Sequence, residues 1–558
     1  MGSATQAPHG AGAAYKPGFA LLHDPLNNRD TAFKANSRAH FGLRGLVPPA
    51  VESLEQQVAR VIKQLRVKHT DLERYIYLSS LLGHNATLFY RTLQDHLAEL
   101  LPIIYTPTVG QACQEYGRLF RATQGMYFSL ADRDYFDEIC NNWPFSPEII
   151  VVTDGGRILG LGDLGAGGLG IPIGKLQLYS AGGGFYPQAC LPIQLDVGTD
   201  NKELLEDPHY LGLKYSRLHG QAHQDFVDEF MEAVFRKWPG VIVQFEDFQT
   251  EYALRYLDRY RGKYRMFNDD VQGTAAVVTA GFINGMKAQG TELKDARVVM
   301  FGAGSSSVGV TGYLIEAMKA AGATYEQARN NIWVCDSKGL ITMERPGARE
   351  LNEWKLMYAR TDGTHPMGSL EEVIESVKPH ALFGLSGAGP VFTQKAIETM
   401  AANVSRPLIF PLSNPTQKAE VTFEHAIQWT KGSLLFAAGS PFADVEYGGK
   451  TFKASQSNNM YVFPGLGKGV ALSRATTITD GMILAGAREV ASLVSDEELA
   501  AGKIYPDIKC LQTVGKAVAA AVWREAGSEG VARVPCPLDV ENAVERSFYK
   551  PRYHSDMS

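Results

Sequence analysis

A chain of 558 residues with 56 glycines, 45% hydrophobic and 20% charged residues is too long for one ordinary domain and too evenly mixed to be disordered, fibrous or membrane-embedded. The net charge of -6 is spread along the chain and leaves no basic face for nucleic acid, so small molecules are the expected partners. Six scattered cysteines without a CxxC pair argue against a zinc site or a disulfide framework and fit a reducing compartment.

Residues 1–18, rich in Gly, Ala and Pro, read as a flexible tail lacking the arginines of a transit peptide and the apolar run of a signal sequence. Gln6 stands where a myristoylation pattern needs Ser or Thr, and Asp556-Met557-Ser558 matches no receptor-read address. No apolar stretch reaches the ~18 residues that span a bilayer, so a cytoplasmic protein with no membrane partner is expected. Apolar spacings of three and four then predict helices over Val51 to Val67, Asp71 to Leu82 and Ala86 to Leu101, ahead of Pro102. They place a helical domain over 19–125.

From Ile149 the texture changes to short β-rich runs: Ile149 to Thr153, Ile158 to Asp163 and Leu191 to Val197. A helix over His223 to Trp238 leads into a buried strand, Val241 to Phe245, and this alternation predicts a largely parallel sheet. A second α/β block has strands at Arg297 to Phe301, Ile332 to Cys335, Ala381 to Gly384, Leu408 to Phe410 and Leu434 to Ala437, with a helix over Gly309 to Ala320. Five strands with intervening helices make a doubly wound, Rossmann-type domain, expected over 269–458 and inserted into a central α/β domain of 126–268 plus 459–530. A C-terminal extension fills 531–558.

Gly302-Ala303-Gly304-Ser305-Ser306-Ser307 follows a strand and opens a helix, the context a pyrophosphate-binding turn requires. Ser307 replaces the third glycine of that pattern, with Gly309 two residues on. A second glycine run, Gly160 to Gly170, also contains GxGxxG frames, but Ile171-Pro172 interrupts any amphipathic helix after it. Close backbone approach to a substrate, or packing, is the expected use.

Glu246-Asp247 ends a buried strand, and in open α/β sheets ligands bind beyond the carboxyl ends of strands. Asp269-Asp270, in Phe267 to Thr274, stands directly before a helix start and about thirty residues before the dinucleotide turn. Any one of these acids is also explained as a helix cap or an ion-pair partner. Two clusters converging would offer hard oxygen ligands for Mg²⁺ or Mn²⁺, with no histidine nearby to suggest zinc. Lys175 and Tyr105 read singly as an exposed lysine and a core tyrosine, though either could move protons if its pKa is shifted. Asn414 ends another strand and Asn458-Asn459 precedes an apolar run; such amides orient a carboxylate or simply form turns.

The motifs YTPTVG (Tyr105 to Gly110), DGGRILGLGDLG (Asp154 to Gly165), GIPIGKL (Gly170 to Leu176), QFEDF (Gln244 to Phe248), FNDDVQGTAA (Phe267 to Ala276), FGAG (Phe301 to Gly304), LSNPT (Leu412 to Thr416), FAAGSPF (Phe436 to Phe442) and NNMYVFPG (Asn458 to Gly465), in this order, resemble malic enzymes. The resemblance implies oxidative decarboxylation of (S)-malate to pyruvate and CO₂ by a dimer of dimers. Glu246, Asp247 and Asp270 would hold the divalent metal, while Arg157, Asn414 and Asn458 or Asn459 would bind substrate. Lys175 is then the expected base with Asp269 as its partner, and Tyr105 the acid that protonates C3, although sequence leaves open which of Lys175 and Tyr105 acts first. Gly302, Gly304 and Ser305 to Ser307 would cradle the dinucleotide. Ser337, Lys338 and Lys355 resemble the residues that take a 2′-phosphate, implying NADP, whereas Asp336 after the second strand is the kind of acid that binds the free ribose of NAD. Two departures stand out: Gln249-Thr250 replaces the Gly-Asn of many relatives, and the arginine pair linked to fumarate activation in some animal members is half present as Arg60 and His84.

Overall fold

A computed structural model describes residues 18–414 and 416–553; most of the expected N-terminal tail and the last five residues of the expected extension lie outside the described residues. The chain divides into two compact units, residues 1–100 with 550–558 and residues 101–549.

The first unit is helical. Leu54–Arg66 starts three residues later than the apolar spacing predicts, because Ser53 and Gln56 form a capping box that satisfies the first free N–H groups. Asp71–Leu82 is capped the same way by Thr70 and Glu73. The predicted Ala86 to Leu101 helix is broken: Ala86–Asp95 ends at His96, and a new helix, Leu97–Ile104, carries Pro102 inside it. Val58, Val61, Leu65, Leu78, Leu88 and Phe89 are buried. Tyr553 is bound to this unit, its hydroxyl donating to Gln57 Oε1 at 2.8 Å and accepting from Asn85 Nδ2 at 2.9 Å. Arg60 pairs with Glu52 at 2.7 Å and His84 contacts Asp30 at 2.7 Å, so each of these side chains already has an acid as its partner.

The second unit contains two parallel sheets, as the alternation of helix and strand predicts. In the first, β1 (Met126–Ser129), β2 (Ile149–Thr153), β3 (Cys190–Asp196), β4 (Ile242–Phe245) and β5 (Met266–Asn268) lie in the order β1-β3-β2-β4-β5. All pairings are parallel. Every residue of β2, β3, β4 and β5 is buried, which explains their near-continuous apolar runs. The predicted run Ile158 to Asp163 is not a strand. Positive φ at Leu159 and Gly162 folds it into a tight loop closed by one Ile158–Gly162 bridge.

The glycine run also departs from expectation. A 3₁₀ turn, Gly165–Leu169, passes straight into the helix Gly170–Gly183, with Pro172 in its first turn where its missing N–H costs nothing. Every residue of that helix is buried, so it shows no amphipathic stripe.

The second sheet comprises β6 (Val298–Phe301), β7 (Ile332–Asp336), β8 (Gly339–Leu340), β9 (Ala381–Gly384), β10 (Leu408–Pro411), β11 (Leu435–Ala438), and, after the separate hairpin β12 (Val445–Tyr447) and β13 (Lys450–Phe452), β14 (Ser455–Gln456). Its order is β14-β11-β10-β9-β6-β7-β8, with only β8 antiparallel. Seven strands rather than five are present, the two additions being two-residue edges. Strand order reverses between β6 and β9, which opens the ligand crevice at their carboxyl ends. The helix after β6 begins at Ser305, four residues before the predicted Gly309.

Candidate active site

One cleft of about 420 Å³ gathers Tyr105, Arg157, Lys175, Glu246, Asp247, Asp270, Gly304, Ser305, Ser306, Ser307, Asn414, Asn458 and Asn459. Separate local features bring these residues together from distant parts of the chain.

The end of β4 supplies Glu246 and Asp247. Asp247 adopts φ 55, a left-handed conformation costing roughly 1–3 kcal/mol for a residue with a side chain. Its Oδ1 accepts from the Leu159 N–H at 3.3 Å, and its buried Oδ2 has no hydrogen-bond partner among the described residues. The end of β5 passes into a π-turn, Asp269–Gly273, capped by Asn268 Oδ1 on the Val271 N–H at 3.0 Å. Asp270 Oδ2 accepts from the Asp247 N–H at 2.8 Å.

Carboxylate oxygens of Glu246, Asp247 and Asp270 all lie within 4.8 Å of one another. Burial above all pushes these three acids above the usual carboxylate range; Lys175 opposes it, and repulsion from neighbouring acids adds to it, from Asp269 on Glu246 and Asp270 and from Asp270 on Asp247. An all-oxygen donor set, one orphaned carboxylate oxygen and this repulsion fit a hard divalent cation.

Lys175 sits on the buried helix Gly170–Gly183, nowhere near the surface that a lone lysine suggests. Its ammonium donates to Asp269 and lies 3.1 Å from Glu246 Oε1. It is also 4.6 Å from the centre of the Phe463 ring and 5.7 Å from that of Tyr105. Burial disfavours its charge, but Asp269 and Glu246 outweigh burial and hold its pKa well above the ordinary lysine range. Burial likewise pushes the Tyr105 phenol up, against the pull of Lys175.

Asn459 Nδ2 donates to Asp269 Oδ2 at 2.8 Å and to Thr274 Oγ1 at 3.1 Å. Asn458 instead caps the following turn through the Met460 N–H at 3.0 Å. Asn414 accepts from the Ser440 hydroxyl, and exposed Arg157 donates to Thr250 Oγ1 at 2.6 Å.

The dinucleotide turn has the required shape. Gly302 has φ 122, and a Cβ there would stand 2.4 Å from the Leu385 carbonyl oxygen. A Cβ on Gly304 would meet nothing within 4 Å, leaving space for a phosphate above a helix start with no side-chain cap. Ser307 turns its hydroxyl back to the Gly302 carbonyl at 2.7 Å. The close helix approach falls to Gly309, whose Cβ would lie 2.5 Å from the Val271 carbonyl oxygen. Two residues of offset hide the third glycine of the pattern.

At the end of β7, Asp336 is held bidentately by Arg345, at 2.9 and 2.8 Å, and by Lys355 Nζ at 2.8 Å. Against its burial, these cations draw its carboxyl far below the usual range. Ser337 and Lys338 are exposed beside it. Sequence reasoning missed Arg345, which no motif marks.

It also missed the supports of Glu246. Gln244 Nε2 donates to Glu246 Oε2 at 2.8 Å, and Tyr179 donates to Gln244 Oε1 at 2.5 Å. Both were findable: Gln244 is two residues from Glu246 on one strand face, and Tyr179 one helical turn beyond Lys175.

A dinucleotide turn at a sheet's switch point, facing a buried lysine and a set of acids, defines an NAD(P)-binding oxidoreductase. Two family models cover most of the chain: malic enzyme, N-terminal domain, over residues 82–261, and malic enzyme, NAD binding domain, over residues 271–527. The chain is 48% identical over 539 residues to the NADP-dependent malic enzyme of Dictyostelium discoideum, covering 96% of this chain and 98% of that one. It is 43% identical over 541 residues to the NAD-dependent malic enzyme of Aeromonas salmonicida, covering 96% of each. The solved malic enzyme from Pyrococcus horikoshii matches with a TM-score of 0.56 and 26% identity over 81% of this chain and 89% of that one. The chain belongs to the malic enzyme family, the decarboxylating malate oxidoreductases.

Proposed function

We propose that the protein oxidises and decarboxylates (S)-malate to pyruvate and CO₂ with NADP and a divalent cation, Mg²⁺ or Mn²⁺, held by Glu246, Asp247 and Asp270. The observation that carries this reading is the convergence of Lys175, Tyr105 and the three acids on the cleft that the dinucleotide turn enters. Arg157 pairs with a malate carboxylate, and Asn414 and Asn458 orient the substrate by hydrogen bonds. Asn459 acts through Asp269, which it already holds.

Lys175 takes the proton of the 2-hydroxyl and Tyr105 delivers a proton to C3 after CO₂ has left. A nicotinamide bound at the Gly302–Ser307 turn would supply the hydride acceptor for C2. A divalent cation, when bound, supplies Lewis acidity at the 2-oxygen, which accepts the electron pair released with CO₂. Lys175 donates to Asp269 and forms an ion pair with Glu246 at 3.1 Å, which favours its charged form. Glu246 serving as a metal ligand would leave only Asp269 to do so, easing the loss of the proton.

NADP is favoured because Asp336 already engages Arg345 and Lys355, so the acid that would select a free ribose stands among cations suited to a 2′-phosphate. The protein works as a cytoplasmic dimer of dimers. No helix among the described residues is long and apolar enough to cross a membrane.

Initial rates with malate, at matched NADP and NAD and with or without EDTA, test the reading. NADPH, pyruvate and CO₂ should form together, and EDTA should abolish them. Oxaloacetate accumulating without CO₂ and without regard to EDTA would identify a metal-independent 2-hydroxy acid dehydrogenase instead; faster turnover with NAD would overturn the choice of cofactor.

A further inference from the structure

Glu420 is a fully buried acid that the reaction above does not use. Its carboxylate has no cation against it among the described ion pairs, and its partners are two serines. The Ser386 N–H donates to Oε1 at 2.9 Å and the Ser386 hydroxyl at 2.8 Å; the Ser413 N–H donates to Oε2 at 3.3 Å, and the Ser413 hydroxyl also donates to Oε1. Four donors converging on one buried side chain satisfy a group that would otherwise be costly to desolvate. The main chain repeats the pattern, for the Glu420 carbonyl accepts from the N–H groups of Val391 and Phe392 at 2.9 Å each.

The two serines belong to different strand ends. Ser386 follows β9 and Ser413 follows β10. Ser413 Oγ in addition accepts from the Gly387 N–H at 2.8 Å, so the loops are tied to each other as well as to Glu420. The sheet makes room for the carboxylate with Gly384 at the end of β9, where a Cβ would lie 2.5 Å from Glu420 Cδ.

Both loops line the cleft, through Leu385 and Gly387 on one side and Leu412, Ser413 and Asn414 on the other. The Leu385–Ser386 peptide also packs on the dinucleotide turn, 2.4 Å (carbonyl oxygen) and 3.0 Å (Ser386 N) from a Cβ built on Gly302.

We propose that Glu420 is a positioning residue for the dinucleotide: through Ser386 and Ser413 it fixes the loops after β9 and β10 against the Gly302 turn and so sets the wall on which the cofactor lies. This deepens the function proposed above and rests on it. A buried carboxylate suits the task because it accepts from all four donors, whereas a glutamine amide offers one oxygen and two N–H groups that face donors.

The test compares Glu420→Gln and Ser386→Ala with wild type. NADPH and NADH binding is followed by fluorescence without metal or malate, Mn²⁺ binding is measured separately, and KM for NADP and kcat come from initial rates. In Glu420→Gln the NADPH dissociation constant and KM for NADP should rise together about tenfold, the loss of one charge-assisted hydrogen bond, while Mn²⁺ affinity stays within about twofold. Ser386→Ala should shift the same two quantities in the same direction by less; should Glu420→Gln not fold, it carries the test alone. Wild-type affinity and KM in both variants would overturn the proposal. So would equal losses of NADPH and Mn²⁺ affinity, which indicate general loosening of the fold. Wild-type protein that fails to oxidise malate with either nucleotide would instead count against the proposed function.

Discussion

Gly273 is where the site leaves least room, and Gly273→Ala tests whether the Asp269–Lys175 contact matters as argued. A Cβ there would stand 1.9 Å from Asp269 Oδ1 and 2.7 Å from its Cγ. Ordinary contact needs about 3.5 Å, so Asp269 must retreat by roughly 1.5 Å. It is fully buried and held by Lys175 and Asn459, so it has no alternative rotamer in water. A retreat of that size breaks the contact with Lys175, and separating a buried ion pair costs about 3–5 kcal/mol.

If about half to all of that loss is felt in the transition state, kcat falls by about 10-fold to about 5,000-fold. The assay is the initial rate of NADPH formation with malate and Mn²⁺, read beside a thermal melt and NADPH binding. Gly304→Ala is the matching control. Its Cβ enters open space, so it should leave the melt unchanged and weaken NADPH binding instead. A Gly273→Ala enzyme with kcat within about twofold of wild type would refute the reasoning, since Asp269 would then be free to move.

Gln244→Leu should weaken Mn²⁺ about 10–100-fold by releasing Glu246 Oε2, measured as free Mn²⁺ by electron paramagnetic resonance; unchanged affinity would mean that Glu246 needs no support. The rise in melting temperature on adding Mn²⁺ should be larger at pH 8 than at pH 6. The three acids have raised pKa in the fold, so in the metal-free protein they bind more protons folded than unfolded, and stability falls as pH rises from the unfolded carboxylate range toward the folded pKa values. A cation relieves that cost and displaces fewer protons at the higher pH. Arg217→Met should lower the melting temperature steeply, because Arg217 pairs with Asp163 at 2.7 Å and Asp154 at 3.3 Å, and removing it leaves Asp163 without its cation and Asp154 with His223 alone, at 2.9 Å, a loss of about 3–5 kcal/mol. The same variant should raise KM for malate, since Asp154 heads the loop that carries Arg157.

How much of this could be read from the chain depended on how local each signal was. The strands ending at Phe245 and Phe301 were legible because their apolar runs are short and stop sharply, one at a pair of acids and the other at a glycine turn. The helix Gly170–Gly183 was not, because a helix buried on every side has no polar face and its glycines and Pro172 look like loop. The loop after Ile158 looked like a strand for the opposite reason, its alternating leucines and glycines imitating a pleat that Leu159 and Gly162 break with positive φ.

Lys175 shows why such non-local facts carry the chemistry. As a residue in sequence it is a lysine after a glycine run; the role proposed for it rests on its contact with Asp269, 94 residues away, which Asn459, a further 190 residues from Asp269, holds in turn. The same glycines that obscured its helix are what let that helix sink among its neighbours: a Cβ on Gly170 would reach 2.6 Å from Cys113 Sγ, and one on Gly174 3.0 Å from the Ile104 carbonyl oxygen. Desolvating a lysine is expensive unless an acid meets it. The π-turn at Asp269–Gly273 places Asp269 on Lys175 and leaves Asp270 facing Glu246 and Asp247, so that one of two adjacent aspartates meets a cation and the other meets acids. That division of labour follows from the extra residue in the turn, and sequence pattern has no means of announcing a π-turn before the fold closes around it.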